Sequence, residues 1–317
     1  MTERDEDTLL TVTFGPDPSR DPRGVDSLRF EGFRPGFELD TLPRFTPARN
    51  WRLFDGALLA LAHDVDGHCE VIGSAVLVAP GVALAATHVV KIKGSATETV
   101  LDPREFWCLG ITRHGAINWS VTTITHSQKT DVCILGLRYG ATIPPDRLFR
   151  MASLSTRAPA VGEQLVMAGF RAAAVTYPWA GHSVDIEAGI LISTGLVTAA
   201  YQQGRDLSRM SWPALEVDCP TIGGMSGGAV FDSRGFLIGL ISSSFDCGQH
   251  AEPAPTYVAL HWPMLGQQFQ GGWPTVDPPD SWHSLLDLGP RCQIERPDAI
   301  RIRRKGDNVI TDYDSWT

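Results

Sequence analysis

The stretch Gly223-Gly224-Met225-Ser226-Gly227-Gly228 decides the fold, because it sets one serine among residues that let another backbone come close. It nominates Ser226 as a nucleophile. A serine hydroxyl is weakly nucleophilic at neutral pH, so the reading requires a histidine to take its proton and a carboxylate to orient that histidine. Working upstream, His88 sits in Val82-Ala83-Leu84-Ala85-Ala86-Thr87-His88-Val89-Val90, and Asp131 in Thr130-Asp131-Val132-Cys133-Ile134-Leu135-Gly136-Leu137. Each candidate adjoins a strand-like apolar run, and the chain order is His, Asp, Ser. Taken singly, the three have ordinary readings: a satisfied histidine, a capping aspartate and a glycine turn. Together, in that order, they read as a catalytic triad.

The order and the three contexts resemble the chymotrypsin/trypsin-like serine peptidases, and closely the bacterial branch that includes HtrA-like and glutamyl-endopeptidase-like enzymes. Gly73-Ser74-Ala75-Val76-Leu77-Val78 resembles the strand before the catalytic histidine. Gly162-Glu163-Gln164-Leu165-Val166-Met167-Ala168-Gly169-Phe170 resembles the strand that opens the second barrel. Ser193-Thr194-Gly195-Leu196-Val197-Thr198-Ala199 fits a following strand, and Gly239-Leu240-Ile241-Ser242-Ser243-Ser244 the strand that pairs with substrate backbone. The resemblance implies an all-β fold of two antiparallel six-stranded β-barrels with the active site between them. The residues agree: from Trp51 to about Gly140 short apolar runs alternate with turn residues, Pro144-Pro145 marks a connector, and a second such series runs from Val161 to Leu260. The expected division is an N-terminal extension over 1–46, a peptidase domain over 47–270 with barrels at about 50–145 and 160–266, and a C-terminal appendage over 271–317. The strands of that appendage are expected to pair with the strand-like Leu9-Leu10-Thr11-Val12-Thr13-Phe14.

For the site, the resemblance implies that Ser226 attacks a peptide carbonyl, that His88 carries the proton, and that Asp131 orients His88. The backbone N–H groups of Gly224 and Ser226 are the expected oxyanion hole. Pro220 and Thr221 are expected at the base and wall of the primary pocket, Ser242, Ser243 and Ser244 along one side, and Pro255 or Thr256 along the other. No carboxylate falls at the base by this count, although Asp218 or Asp246 is near enough to intrude, so a small or medium uncharged substrate residue is favoured. Thr221 matches a position in glutamyl endopeptidases, but Ile241 stands where those enzymes carry a histidine. Met225 stands where relatives activated by amino-terminal cleavage carry an acid, so that switch is expected to be absent.

The whole chain has 317 residues with a net charge of −9, of which 43% are hydrophobic and 20% charged. That balance suits a globular protein and argues against a general grip on nucleic acid. The basic run Arg301-Ile302-Arg303-Arg304-Lys305 reads as one solvated strand of a hairpin with Asn308-Val309-Ile310-Thr311. The first residues, Met1 to Asp7, are acidic where a secretory signal is basic, and no run approaches a membrane span, so the expected location is cytoplasmic. Six cysteines fit that compartment if reduced. Cys69, Cys108 and Cys133 read as buried small hydrophobes, and Val89 replaces the cysteine that follows the catalytic histidine in secreted relatives. Cys219 and Cys247 are the pair for which a bridge stays open. Cys247-Gly248-Gln249-His250 lacks a second pair with ligand spacing, so no metal and no cofactor are expected. The resulting expectation is an intracellular serine endopeptidase acting on protein or peptide substrates, its terminal extensions offering sites to a regulatory protein partner. The alternative is a catalytically silent peptidase-fold module that binds a partner. An esterase with a nucleophile elbow needs another chain order and a strand-to-helix turn.

Overall fold

The apolar runs of the first half are too continuous for a sheet with one wet face, and the computed structural model gives the reason. It describes residues 8–13, 29–48, 53–65, 68–91, 99–112, 115–140, 148–176, 183–206, 210–244, 255–270, 282–305 and 308–313. Six strands close the first barrel: β1 (Leu58–Val65), β2 (His68–Ala79), β3 (Val82–Ala86), β4 (Phe106–Thr112), β5 (Gly115–His126) and β6 (Val132–Tyr139). Around the ring the order is β1-β2-β3-β6-β5-β4, every pair antiparallel. In β3 all five residues are buried. Ala83 and Ala85 fill the barrel, while Val82 and Leu84 face outward into a second core shared with the other barrel. Side chains alternate between faces with a period of two, so a strand buried on both faces reads as unbroken hydrocarbon.

The second barrel repeats the plan with β7 (Gln164–Phe170), β8 (Ile190–Tyr201), β9 (Ala214–Asp218), β10 (Ala229–Phe231), β11 (Leu237–Ser244) and β12 (Thr256–Leu260). Its ring order, β7-β8-β9-β12-β11-β10, is that of the first barrel strand for strand. Two closed six-stranded antiparallel barrels are the architecture the sequence led us to expect.

The flanking segments are built into this frame. Thr8–Thr13 pairs antiparallel with Ser183–Ala188, which continues through Ala173–Thr176 to β2. The expected pairing of this strand with the C-terminal appendage is therefore wrong: a hairpin between β7 and β8 offers the free edge instead. Arg29–Phe33 lies parallel to Leu148–Ala152, and Phe30 stacks on Phe149, whose ring meets Trp119 and Tyr139 inside the first barrel. Phe45–Pro47 pairs with β8. At the other end Leu285, Leu288, Cys292 and Ile300 join the shared core. Ile300–Lys305 and Asn308–Tyr313 form the hairpin read from the basic run. The buried Asp232 carboxylate accepts from Arg157, Arg234 and the backbone N–H groups of Arg234 and Phe236; Arg234 also reaches Glu295, so one ionic cluster ties the C-terminal segment to the second barrel. Cys69, Cys108 and Cys133 are buried, as expected.

Candidate active site

Strand β3 ends at Ala86 and the chain turns through a short 3-10 segment, Thr87–Val89, that carries His88. The turn is pinned where it approaches β6, because the Thr87 N–H donates to Asp131 O at 2.7 Å. Asp131 is almost fully buried, and its carboxylate collects three donors. The His88 backbone N–H meets Oδ1 at 3.0 Å, while His88 Nδ1 at 2.7 Å and the Ser242 hydroxyl at 2.6 Å both meet Oδ2. An ionised carboxylate only accepts, so Nδ1 carries the ring proton and Nε2 keeps its lone pair. The His88 side chain is 45% exposed. Beside Asp131, burial pushes the Cys133 thiol up to about 12, aided by the nearby carboxylate, so it stays protonated.

Ser226 lies in the turn before β10, and the carbonyls around it are individually tied down. Gly223 O accepts from Ala172 N–H at 3.0 Å, Gly224 O from the Ser74 hydroxyl at 2.9 Å, Met225 O from Gly228 N–H at 2.8 Å and Ser226 O from Ser74 N–H at 2.7 Å. In a trans peptide the N–H points opposite to the C=O. Holding the carbonyls of Gly223 and Met225 therefore aims the N–H groups of Gly224 and Ser226 the other way, and neither is spent on a backbone acceptor among the described residues. Gly224 needs to be glycine: its φ is +92°, and a Cβ there would lie 2.1 Å from Ala172 N. The Met225 side chain is fully buried in the shared core.

The Thr221 and Thr256 hydroxyls lie 2.9 Å apart, and Thr256 donates to Cys219 O at 2.6 Å. Pro220 O accepts from Ser193 Oγ at 2.6 Å. Asp218 is ion-paired to Arg44 on the surface, and Asp246 lies outside the described residues. Ser242, expected along one side of the pocket, gives its hydroxyl to Asp131; Ser243 and Ser244 continue β11 opposite Tyr257 and Thr256. Cys219 is a free, buried thiol 2.8 Å from Ser193 Oγ, with its pKa pushed up to about 12 by burial. Cys247 and the Cys247–His250 segment lie outside the described residues. Among the described residues no group of three or more His, Cys, Asp or Glu side chains is placed to hold a metal ion. No helix there is long and apolar enough to cross a membrane. Ser74 and Ala172 were not read from the sequence as site residues; the only signal was a serine inside the apolar run of β2.

The family described as trypsin-like peptidase domain matches residues 73–240, more than half of the chain. A search of curated proteins finds no match. Among solved structures, the MamO protease domain from Magnetospirillum magneticum in its apo form is similar at 15% identity, over 65% of this chain and 93% of that one, with a TM-score of 0.43. An inactive form of the Rv3671c protease is similar at 14% identity, over 64% of this chain and 83% of that one, with a TM-score of 0.38. From the match across both barrels, and the strand order they share, the chain belongs to the trypsin-like peptidase domain family.

Proposed function

We propose that the protein is an active serine endopeptidase of the bacterial branch with HtrA-like and glutamyl-endopeptidase-like enzymes, working inside the cell on protein substrates. The observation that carries the reading is the Asp131 carboxylate, which holds both His88 nitrogen donors, ring and backbone, and so fixes the tautomer a general base needs. Ser226 Oγ attacks the scissile carbonyl carbon as its proton passes to His88 Nε2. The carbonyl oxygen takes the electron pair, and the N–H groups of Gly224 and Ser226 receive the charge. When that pair returns, the C–N bond breaks and His88 gives its proton to the departing amine, leaving an acyl group on Ser226. Water, deprotonated by His88, attacks the ester by the same route and frees the enzyme.

The uncharged Thr221–Thr256 pair and the diversion of Asp218 to Arg44 support a small or medium uncharged residue on the acyl side of the cut. The terminal segments packed on the barrels are the surfaces for a regulatory protein partner. The test is labelling by a fluorophosphonate together with casein turnover. Wild type should label and Ser226→Ala should not, with turnover down about 10⁴- to 10⁶-fold. A Ser226→Ala protein that keeps a tenth of the turnover removes the mechanism. Folded wild type that neither labels nor turns over casein favours the silent binding module.

A further inference from the structure

We infer that Ser74, on β2 of the first barrel, is the positioning residue that sets the oxyanion loop of the second. The inference rests on the peptidase reading and deepens it. Ser74 is completely buried. Its polar atoms cross the gap between the barrels: N–H donates to Ser226 O at 2.7 Å, and the hydroxyl donates to Gly224 O at 2.9 Å while accepting from Phe170 N–H at 2.8 Å. One side chain thus joins β2, the end of β7 and the loop that holds the nucleophile. Its carbonyl completes the contact, lying so close to Gly227 Cα that an added Cβ there would sit 2.1 Å from Ser74 O.

The loop needs such a restraint because the peptide whose N–H is to meet the oxyanion lies between two glycines, Gly223 and Gly224. With no Cβ on either side, its flip is opposed by little beyond hydrogen bonds. Ala172 N–H holds the carbonyl of that peptide, and the Ser74 hydroxyl holds the carbonyl of the next one. The Gly224–Met225 peptide is fixed at both ends, since Met225 N–H donates to Ile222 O at 3.1 Å. Fixing it limits the torsions at Gly224 through which the preceding peptide would turn. Without the hydroxyl, Gly224 O and Phe170 N–H would both be left without this partner in a dry setting, and a loop rearrangement that re-satisfies them becomes favourable. The activity is then lost by misaiming an N–H group that Ser74 never touches.

The experiment compares wild type with Ser74→Ala in the full chain, using an alkyl fluorophosphonate. Labelling forms a bond from Ser226 Oγ to phosphorus, expels fluoride and passes the hydroxyl proton to His88, with the phosphoryl oxygen in the oxyanion position. Labelling of folded Ser74→Ala should be about 10- to 1,000-fold slower, approaching the roughly 10²- to 10³-fold cost of losing one oxyanion donor as the N–H is misaimed more often. The pH dependence of the residual rate should match that of wild type, because His88 and Asp131 are untouched. A purely structural serine would lower the melting temperature and leave the rate per folded molecule alone, so a folded variant labelled within threefold of wild type overturns the inference. Should Ser74→Ala not fold, Ser74→Cys fills the same space with a weak hydrogen-bonding group and carries the same test. Unlabelled, folded wild type instead sinks the peptidase reading, and this inference with it.

Discussion

Two adjacent glycines, Gly223 and Gly224, should respond very differently to the same substitution. At Gly224 a Cβ would stand 2.1 Å from Ala172 N and 2.6 Å from Arg171 C, both backbone atoms, at a φ of +92°. A side-chain neighbour could swing away, but a backbone neighbour cannot without moving its loop. The conformational cost alone is about 1–3 kcal/mol. The protein has two ways to relieve the clash, and each breaks the Ala172 N–H···Gly223 O bond. Moving residues 171–172 outward releases the carbonyl, and turning the peptide carries the Gly224 N–H away from the oxyanion position proposed for it. Gly224→Ala should therefore lose about 10²- to 10³-fold in fluorophosphonate labelling rate, together with about 1–3 kcal/mol of stability. At Gly223 the added methyl meets nothing within 4 Å. Gly223→Ala should stay within about 0.5 kcal/mol of wild type and label at nearly the same rate. Urea unfolding gives the stability and labelling kinetics the activity. A folded Gly224→Ala protein that labels at the wild-type rate would refute the reasoning, as would equal losses in the two variants.

Burial holds His261 neutral down to about pH 4, with Nε2 placed 2.9 Å from Leu237 O, so between pH 6.5 and 4 the unfolded chain binds a proton that the fold refuses. Stability is therefore complete above about pH 6.5 and falls toward pH 4 by up to about 3 kcal/mol; urea unfolding should show this part of the slope missing in His261→Gln, and identical slopes would refute it. Asp232→Ala removes the acceptor for two guanidinium groups and two backbone N–H groups, and should cost about 2–4 kcal/mol in urea unfolding. The full penalty of a broken buried pair is not reached, because Arg157 keeps Glu163 and Arg234 keeps Glu295. A loss below about 0.5 kcal/mol would show the cluster to be surface ornament.

The barrels were legible because each strand carries its own signal, a short apolar run closed by turn residues. The turn at Pro80-Gly81, where Gly81 takes a φ of +64°, delimits β2 and β3 in the sequence itself. Pairing beyond the barrels was not legible. Thr8–Thr13 could have met any free edge, and only the folded chain places Ser183–Ala188 beside it. The same limit explains Ser242. The register of β11 against β12 shifts between Ile241 and Ser243, so simple alternation does not say which way Ser242 faces, and its contact with Asp131 depends on where the other barrel stands. Ser74 shows both sides of the problem. A serine among Ala75, Val76 and Leu77 is visible as an anomaly, yet its partners Gly224 and Phe170 lie 150 and 96 residues away in the other barrel.

The burial of Met225 bears on how such a site is kept in order. An amino group released by cleavage and delivered to that position would find hydrocarbon on the shared core and no carboxylate on the residue before Ser226. An unpaired ammonium there costs several kcal/mol, so it would disorder the loop rather than set it. The described residues ahead of the first barrel are held as well. Phe37 packs on Phe231, Arg44 O accepts from Thr194 N–H at 3.0 Å, and Phe45–Pro47 forms a strand against β8. The groups that tie the carbonyls from Gly223 to Ser226 come from Ala172, Ser74 and Gly228, all within or beside barrel strands. Order in the loop from Gly223 to Ser226 thus rests on hydrogen bonds that reach it from both barrels, and a shift of β2 against β7 would act on it directly.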